Sequence, residues 1–255
     1  MKALWKLACE SRLILASASL AFGAAIACIV LASIVDDNNL QLLTNLVMTP
    51  VVTLAAAYAG ARVAFDFQGR KDRENEIAQN VRVANTTIFQ LVRFAYAFHV
   101  IEKQFISPHR NNHARHFQID SGMEYGIEEL QVDYDSLGFL FHSQAPDLLR
   151  TLAAVQLEVN ATIGVIRQRS HWHVEKFQVA MDSVPAGTIL SADEVVELVG
   201  ERIAITLKKQ TDDLIQGVDA SIAGLRSHID GLRAAVQGMY AGHGVVFLQD
   251  PASKN

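Results

Sequence analysis

Two long apolar segments near the start of the chain dominate its hydrophobic pattern. The first, residues 13–35, has no charged side chain, and the second, residues 46–66, is interrupted by Pro50 near its start and Arg62 near its end. Each is long enough to cross the roughly 30 Å hydrocarbon core of a bilayer at about 1.5 Å per helical residue. The stretch Asp36–Asn39 between them is polar and has the composition of a turn. The pattern therefore predicts a transmembrane helical hairpin.

Basic residues lie before the first apolar segment and around the end of the second. Some precede the first apolar segment and the others lie at or beyond the end of the second: Lys2, Lys6, Arg12, Arg62, Arg70, Lys71 and Arg73. The acidic stretch between the segments has no lysine or arginine. Because cytoplasmic loops carry the excess of Lys and Arg, we expect a multi-pass protein with both termini in the cytoplasm.

Other interpretations of the N-terminus are weaker. A cleaved signal peptide has an apolar core of roughly 7–15 residues, which is shorter than the first segment. Ala25–Cys28 is similar to a lipoprotein cleavage box, but the apolar run continues beyond it to Val35. A soluble hairpin buried in a protein core is disfavoured by the length of both runs.

Beyond the hairpin, apolar residues recur in alternating steps of three and four, which is the seven-residue repeat of packed helices. No proline lies between Pro50 and Pro108, so we expect the second span to continue as one helix, with Gly69 as a hinge and an end at Ser107. Its apolar stripe is Ile77, Val81, Ala84, Ile88, Leu91, Ala95, Phe98 and Phe105.

Two more long helices carry the same repeat. One is predicted from Pro146 to about Met181, and the other starts at a capping box formed by Ser191 and Glu194. Their stripes include Leu148, Leu152, Val155, Val159, Thr162, Ile166, His173 and Phe177, followed by Leu207, Thr211, Leu214, Val218, Leu225, Ile229, Leu232 and Val236. The residues between the first two helices are less regular, with a brief helix expected at Leu137–Phe141.

Long helices joined by short loops pack antiparallel. The predicted fold is an all-α membrane protein with three parts. They are the transmembrane hairpin at residues 1–68, a long-helix antiparallel cytoplasmic bundle at 69–242 and a C-terminal tail at 243–255. Because some apolar stripes keep the seven-residue repeat over many turns, we also expect coiled-coil character in this bundle.

Small residues recur every four positions in both spans and would let helix backbones approach closely in lipid. They are Ser19, Gly23, Ala27, Ala56, Gly60 and Ala64. The simpler interpretation is that the two spans pack on each other. The alternative is that this face also joins neighbouring copies into a homo-oligomer.

Composition narrows the function. The net charge of −5 disfavours a general nucleic-acid binder but leaves room for local basic patches. Both cysteines, Cys9 and Cys28, lie in or beside the first span, so we expect no disulfide, thiolate metal site or cysteine nucleophile in the bundle. The chain has no nucleophile elbow, P-loop, zinc-protease motif or dinucleotide fingerprint. We therefore expect a protein that is not an enzyme, with no cofactor and no small-molecule substrate.

The densest basic patch lies near the end of the second bundle helix. It consists of Arg167, Arg169, His171, Trp172 and His173. Arginine beside an exposed aromatic ring suits contact with nucleic acid or, near the membrane, with lipid headgroups. The alternative is a set of basic residues that complement the helix dipole, with the tryptophan packed inside.

A second basic cluster follows Pro108. His109, His113 and His116 are spaced like one face of a helix, but no cysteine or carboxylate completes a metal site there, so we expect no metal. A loop with Arg110 and Arg115 that contacts phosphate or a protein partner is the favoured interpretation.

The overall layout resembles a known group of proteins. Ala57–Phe65 runs directly into a charged helix that contains Asn85 and Ile88–Leu91, and Arg167–Glu175 follows on a later helix. This resembles bacterial inner-membrane proteins with two spans and a helical cytoplasmic domain, some of which are similar to membrane effectors of retron anti-phage systems. The resemblance implies an effector that stays silent beside a reverse transcriptase and its RNA–DNA product and damages the membrane when released. The competing hypothesis is a membrane scaffold or anchor with a helical protein-docking domain.

Overall fold

The described part of the chain is helical throughout. The computed structural model describes residues 37–121, 127–143, 145–185 and 187–244, with side chains from residue 50 onward. These ranges contain helices and turns and no β-strand, which confirms the all-α prediction. The chain divides into two compact units, Met1–Arg73 and Glu74–Asn255.

The longest element, α1, is a single helix of 65 residues, Asp37–Ile101. It contains the second predicted span and continues past Gly69, so the expected continuity is confirmed and the expected hinge is wrong. The turn predicted at Asp36–Asn39 is also wrong from Asp37 onward, since Asp37 begins the helix. Aspartate and asparagine are favourable in a first helical turn, where they complement the dipole and the free N–H groups. The first span lies outside the described residues.

A long connection follows α1. It starts with a π-helical turn, Glu102–Ile106, and includes the short helix α2, Arg115–Gln118, and a 3-10 helix, Gly138–His142. The brief helix expected at Leu137–Phe141 is thus present within one residue. Residues 127–137, which precede it, form irregular backbone and a turn.

The helix α3, Leu148–Trp172, continues through a π-helical segment, His173–Gln178, into the short α4, Val179–Met181. Its end matches the predicted one. Within the described residues, Leu148–Met181 is the one helical stretch long and apolar enough, by length and composition, to cross a membrane. Length and composition of this kind are shared by membrane spans and by core helices of bundles.

The last long helix is divided where the sequence predicted one element. The capping box of Ser191 and Glu194 is present, but it opens a short helix, α5, at Ala192–Val199. Gly200 then adopts a φ of +86°, which glycine accepts without steric cost, and α6 begins afresh as Glu201–Met239.

Helix directions differ from the predicted arrangement in one respect. The α3 and α6 helices are antiparallel, because Thr162 contacts Ser221 while Arg169, further along α3, contacts Thr211. The α1 helix is also antiparallel to α6, since Asn80 donates to the hydroxyl oxygen of Tyr240. The other end of α1, at His99, lies beside Asp219 of α6. Consequently α1 and α3 run parallel to each other, which the 46-residue connection from 102 to 147 makes possible.

The predicted stripes form the core. Buried members of the main cluster come from all three long helices and include Val81, Ile88, Leu91, Phe98, Leu152, Val159, Ile166, Leu214, Leu225 and Val236. A second, smaller cluster closes the end of the bundle where α3 meets α5. Its buried members are Phe177, Val195, Val199, Ala204 and Leu207.

Three glycines spaced seven residues apart bring α6 close to α3. A Cβ atom on Gly217 would lie 2.8 Å from Thr162 Oγ1, one on Gly224 would lie 3.2 Å from a Val155 methyl, and one on Gly231 would lie 3.1 Å from Leu148 Cδ1. The side chains of α3 therefore occupy the space above these glycines. The seven-residue spacing of these glycines is visible in the sequence, but the close approach depends on which side chains of α3 lie opposite them.

Candidate functional site

Arg169, in the middle of the predicted basic patch, lies inside the bundle. Its side chain has no solvent exposure. Its Nε donates to Thr211 Oγ1 on α6 at 3.0 Å, and its two terminal nitrogens donate to backbone carbonyls of the connection. The acceptors are the carbonyl oxygens of His116 at 3.4 Å, Ile119 at 2.5 Å and Asp120 at 3.2 Å. Arg169 thus joins α3, α6 and the connection at one point.

Ser170 extends this arrangement by one residue, since its hydroxyl donates to the Ser121 carbonyl at 2.8 Å. We call the set formed by Arg169, Ser170 and the carbonyls of residues 116 and 119–121 the Arg169 clasp. Burial lowers the pKa of Arg169 to about 10, and the charge of Asp120 opposes this shift. The guanidinium therefore stays charged at neutral pH. Four hydrogen bonds hold Arg169 and Ser170 against the connection, and a fifth joins Arg169 to α6.

His173 lies one turn beyond Arg169, at the start of the π-helical segment. It is 5% exposed, and neither ring nitrogen makes a hydrogen bond. Burial lowers its pKa, and the nearby charge of Arg169 lowers it further. The Phe117 carbonyl and Asp120 act in the opposite direction without reversing the shift. His173 is therefore held in its neutral form.

His116 lies on the connection side of the clasp, in α2. Its Nδ1 is buried and has no hydrogen-bond partner. Burial lowers its pKa, the charges of Lys208, Arg115 and Arg169 add to this, and Asp212 opposes them. Two neutral imidazoles thus flank one buried guanidinium.

Aromatic rings join the two histidines. Phe117 and Phe177 are stacked with centroids 5.3 Å apart and an interplanar angle of 13°. His116 lies 4.0 Å from the Phe117 ring and His173 lies 4.9 Å from the Phe177 ring. Trp172 is half-buried against the same second cluster. One side of Trp172 is thus packed, as the alternative interpretation of the basic patch expects, and the rest of its ring stays exposed.

The other two members of the patch are on the surface. Arg167 donates to the Ile127 carbonyl at 3.1 Å and lies 3.7 Å from a carboxylate oxygen of Glu129. His171 Nδ1 lies 3.2 Å from Glu175, one turn further on, and both side chains are exposed. Of the predicted contact residues on α3, these two and part of Trp172 can reach a partner in this conformation, whereas Arg169 and His173 cannot.

The second basic cluster is tied to α6. Arg110 makes a two-pronged interaction with Asp219, with N–O distances of 2.8 and 2.9 Å, and lies 3.6 Å from Glu102. Arg115 donates to Asp212 at 2.6 Å and to the Arg110 carbonyl at 2.8 Å. These arginines anchor the connection, so a phosphate would have to compete with carboxylates already in place.

The three histidines of the connection do not share a helix face. His109 and His113 lie in turns, and His116 belongs to the short α2. The described residues contain no group of three or more histidine, cysteine, aspartate or glutamate side chains placed to hold a metal ion.

The small residues of the predicted membrane packing faces fall in the first unit. Ser19, Gly23 and Ala27 lie outside the described residues. Ala56, Gly60 and Ala64 are on α1 and exposed. A Cβ atom on Gly60 would meet no described atom within 4 Å, so a second helix could approach this face closely.

Comparison of the chain with known protein families, with curated proteins and with solved structures finds no match.

Proposed function

We propose that this chain is a membrane-anchored, non-enzymatic protein whose helical bundle serves as a docking and sensing module on the cytoplasmic face. The carrying observation is the surface of α1 between residues 51 and 67. Its large apolar side chains are exposed on all sides of the helix: Val51, Val52, Leu54, Tyr58, Val63, Phe65 and Phe67. A helix that is apolar all round needs either a protein core or lipid around it. We assign lipid.

The proposed anchor is the hairpin with spans at residues 13–35 and 46–66, in the inner membrane of a bacterium, with both termini cytoplasmic. Support comes from the basic residues at its two ends and from the pairing of Arg62 with Asp66 at 3.8 Å near the proposed cytoplasmic border. A topology reporter fused after Asn255 should be active in its cytoplasmic form. Activity of a periplasmic reporter at that position would overturn the orientation.

The more specific proposal is an effector of a retron-like, abortive-infection defence against phage. It would perturb the inner membrane when released by a partner, with a reverse transcriptase and its RNA–DNA product as the proposed partner. The support is the resemblance in layout described above. Two spans are too few to enclose a pore, so an effector of this kind has to assemble through a face such as Ala56, Gly60 and Ala64.

The favoured alternative to an effector is a scaffold or anchor with the same fold. Arg110 and Arg115, which fix the connection to α6 through Asp219 and Asp212, favour a rigid docking surface. A scaffold has no need to assemble in the membrane or to disturb it.

Inducible expression in cells that lack the proposed partner distinguishes the effector proposal from the scaffold proposal. The membrane potential is followed with a voltage-sensitive dye for the unaltered chain, for Gly60→Leu and for the control Gly164→Leu. Both glycines have free space around them, but Gly164 is on α3, outside the hairpin. We expect depolarisation by the unaltered chain and by Gly164→Leu, and its loss in Gly60→Leu at equal amounts of membrane-inserted protein.

Depolarisation by a fully inserted Gly60→Leu chain would exclude assembly through this face. If the unaltered chain leaves the potential unchanged, both in growing cells and during phage infection, the scaffold proposal replaces the effector proposal.

A further inference from the structure

The Arg169 clasp concentrates positive charge where no carboxylate is bonded to it. Among the described residues, the guanidinium of Arg169 makes its hydrogen bonds to three carbonyls and one hydroxyl, all of them uncharged. A buried cation held by neutral acceptors is sensitive to any further positive charge nearby, because the surrounding low dielectric screens weakly.

The charged groups that face the two histidines come from each packed element. The connection contributes Arg115 and Asp120, α3 contributes Arg169, and α6 contributes Lys208 and Asp212. Three of these groups are cations and two are anions, and both anions are at least partly exposed. A proton added to either imidazole therefore enters a site with an excess of positive charge.

The closed clasp offers little to stabilise an added proton on either histidine. Neither ring nitrogen of His173 makes a hydrogen bond, and neither does the buried Nδ1 of His116. The Phe117 carbonyl favours a protonated His173, but one carbonyl cannot serve N–H groups on opposite sides of the ring. An imidazolium needs both N–H groups satisfied, so a protonated histidine in this position leaves a buried donor without a partner. Opening the clasp would give these N–H groups access to water.

We propose that His116 and His173 turn the Arg169 clasp into a proton-operated latch, in which protonation of either imidazole releases residues 115–121 from α3 and α6. Release separates the stacked rings of Phe117 and Phe177 and uncovers apolar surface of the second cluster. The rest of the bundle, held by the main cluster, stays folded. This inference rests on the bundle alone and does not depend on how the chain meets the membrane.

The direction of the pH effect follows from the lowered pKa of both histidines. The open form has ordinary imidazoles, with a pKa near 6.5, and binds more protons than the closed form as the pH falls below that value. The closed clasp is thus fully stable above about pH 6.5 and weakens as the pH drops toward the lowered pKa values. Each histidine can change the opening equilibrium by at most about tenfold per pH unit.

Amide hydrogen exchange of the full chain in lipid nanodiscs, corrected for the intrinsic pH dependence of exchange, measures the opening. Peptides that cover 115–121 report on the clasp, and peptides that cover 225–236 report on the main core. Between pH 7.5 and 5.5 we expect opening at 115–121 to rise by about tenfold or more, with the core unchanged.

Three variants identify the groups. His173→Leu should reduce the pH dependence of exchange at 115–121. His116→Leu should reduce it as well, and it serves as the test if His173→Leu does not keep a protected core. His171→Gln is the matched control, since it removes an exposed histidine on the same helix and should leave the pH dependence unchanged. The latch would be overturned if opening at 115–121 in the unaltered chain did not depend on pH. It would also be overturned if the pH dependence stayed the same when His116→Leu and His173→Leu are combined.

Discussion

Two stretches of the same helix, α1, show how differently apolar side chains can be used. Between residues 51 and 67 the large apolar side chains are exposed around the whole circumference, and Phe65 reaches 77% exposure. Between residues 81 and 101 most of them lie on one stripe, where Ile88, Leu91 and Phe98 are completely buried, and only Phe89 and Tyr96 are exposed. The large apolar side chains of the first stretch do not belong to the main cluster, whereas the buried stripe of the second packs on α3 and α6.

The comparison shows that helicity and hydrophobicity do not determine the surroundings of a helix. What separates the two stretches is where the polar residues lie. In the second, charged and amide side chains such as Arg82, Gln90 and Arg93 occupy the face opposite the buried stripe, which restricts burial to one direction. In the first, no polar face of this kind exists, so packing in one direction would leave apolar side chains uncovered.

Placing a carboxylate in each stretch should produce the largest effect and can break the comparison. Leu91→Asp puts an unpaired charge at a fully buried position and should lower the free energy of unfolding of the bundle by on the order of 3 to 5 kcal/mol. Val63→Asp should leave the bundle as stable as before and reduce the fraction of chain recovered in membranes.

Urea unfolding followed by pulse proteolysis measures the first effect, and membrane fractionation measures the second. Phe89→Asp serves as a control, because Phe89 belongs to the second stretch but is 58% exposed. If Val63→Asp and Leu91→Asp destabilise the bundle equally, the two stretches share one kind of environment and the comparison fails.

Glycine substitutions sharpen the same comparison at a smaller scale. Gly217→Ala places a Cβ atom 2.8 Å from Thr162 Oγ1 and should cost about 1–3 kcal/mol. Gly238→Ala, on the same helix but with free space around it, should instead stabilise by roughly 0.5–1 kcal/mol. Gly60→Ala in the first stretch should not change the stability of the bundle.

Urea midpoints of these three variants give the test. Similar destabilisation by Gly217→Ala and Gly238→Ala would show that loss of helix packing space is not the cause.

The smallest effect is expected where a local hydrogen bond, and not packing, is removed. Ser191→Ala deletes the cap of α5, in which Ser191 Oγ accepts from the Glu194 N–H and Glu194 accepts from the Ser191 N–H. The loss should be about 1 kcal/mol and confined to α5, as hydrogen exchange of residues 192–199 can show. The Ser191 N–H and hydroxyl, which both donate to the Glu194 carboxylate, also lower the pKa of Glu194. Their contribution should therefore weaken as the pH falls from the ordinary value for glutamate through the lowered one.

Much of the bundle could be predicted because its information is periodic. The stripe from Val81 to Phe98, the end of the helical run at Met181 and the capping box at Ser191 all follow from local sequence. Features that depend on the partner helix could not be read this way. The break at Gly200 requires a backbone conformation that glycine permits but does not impose, and the parallel course of α1 and α3 depends on how the connection folds.

The site illustrates the same limit. A run of Arg167, Arg169, His171 and His173 predicts a basic surface if charge alone is considered. Steps of two residues along a helix instead send neighbours to different sides, so Arg169 and His173 face the core and the other two face outward. His173 also falls on the predicted apolar stripe, so its seven-residue spacing predicts the burial that its charge does not.

The heptad glycines of α6 have a mechanical consequence. Each of them is covered by one side chain of α3, and these side chains are also seven residues apart: Thr162, Val155 and Leu148. A shift of α3 along α6 by one helical turn, about 5.4 Å, would move all three side chains away from the glycines and toward positions of α6 that carry side chains of their own. Sliding of α3 along α6 therefore costs the packing at three places at once, which fixes the register of the two helices.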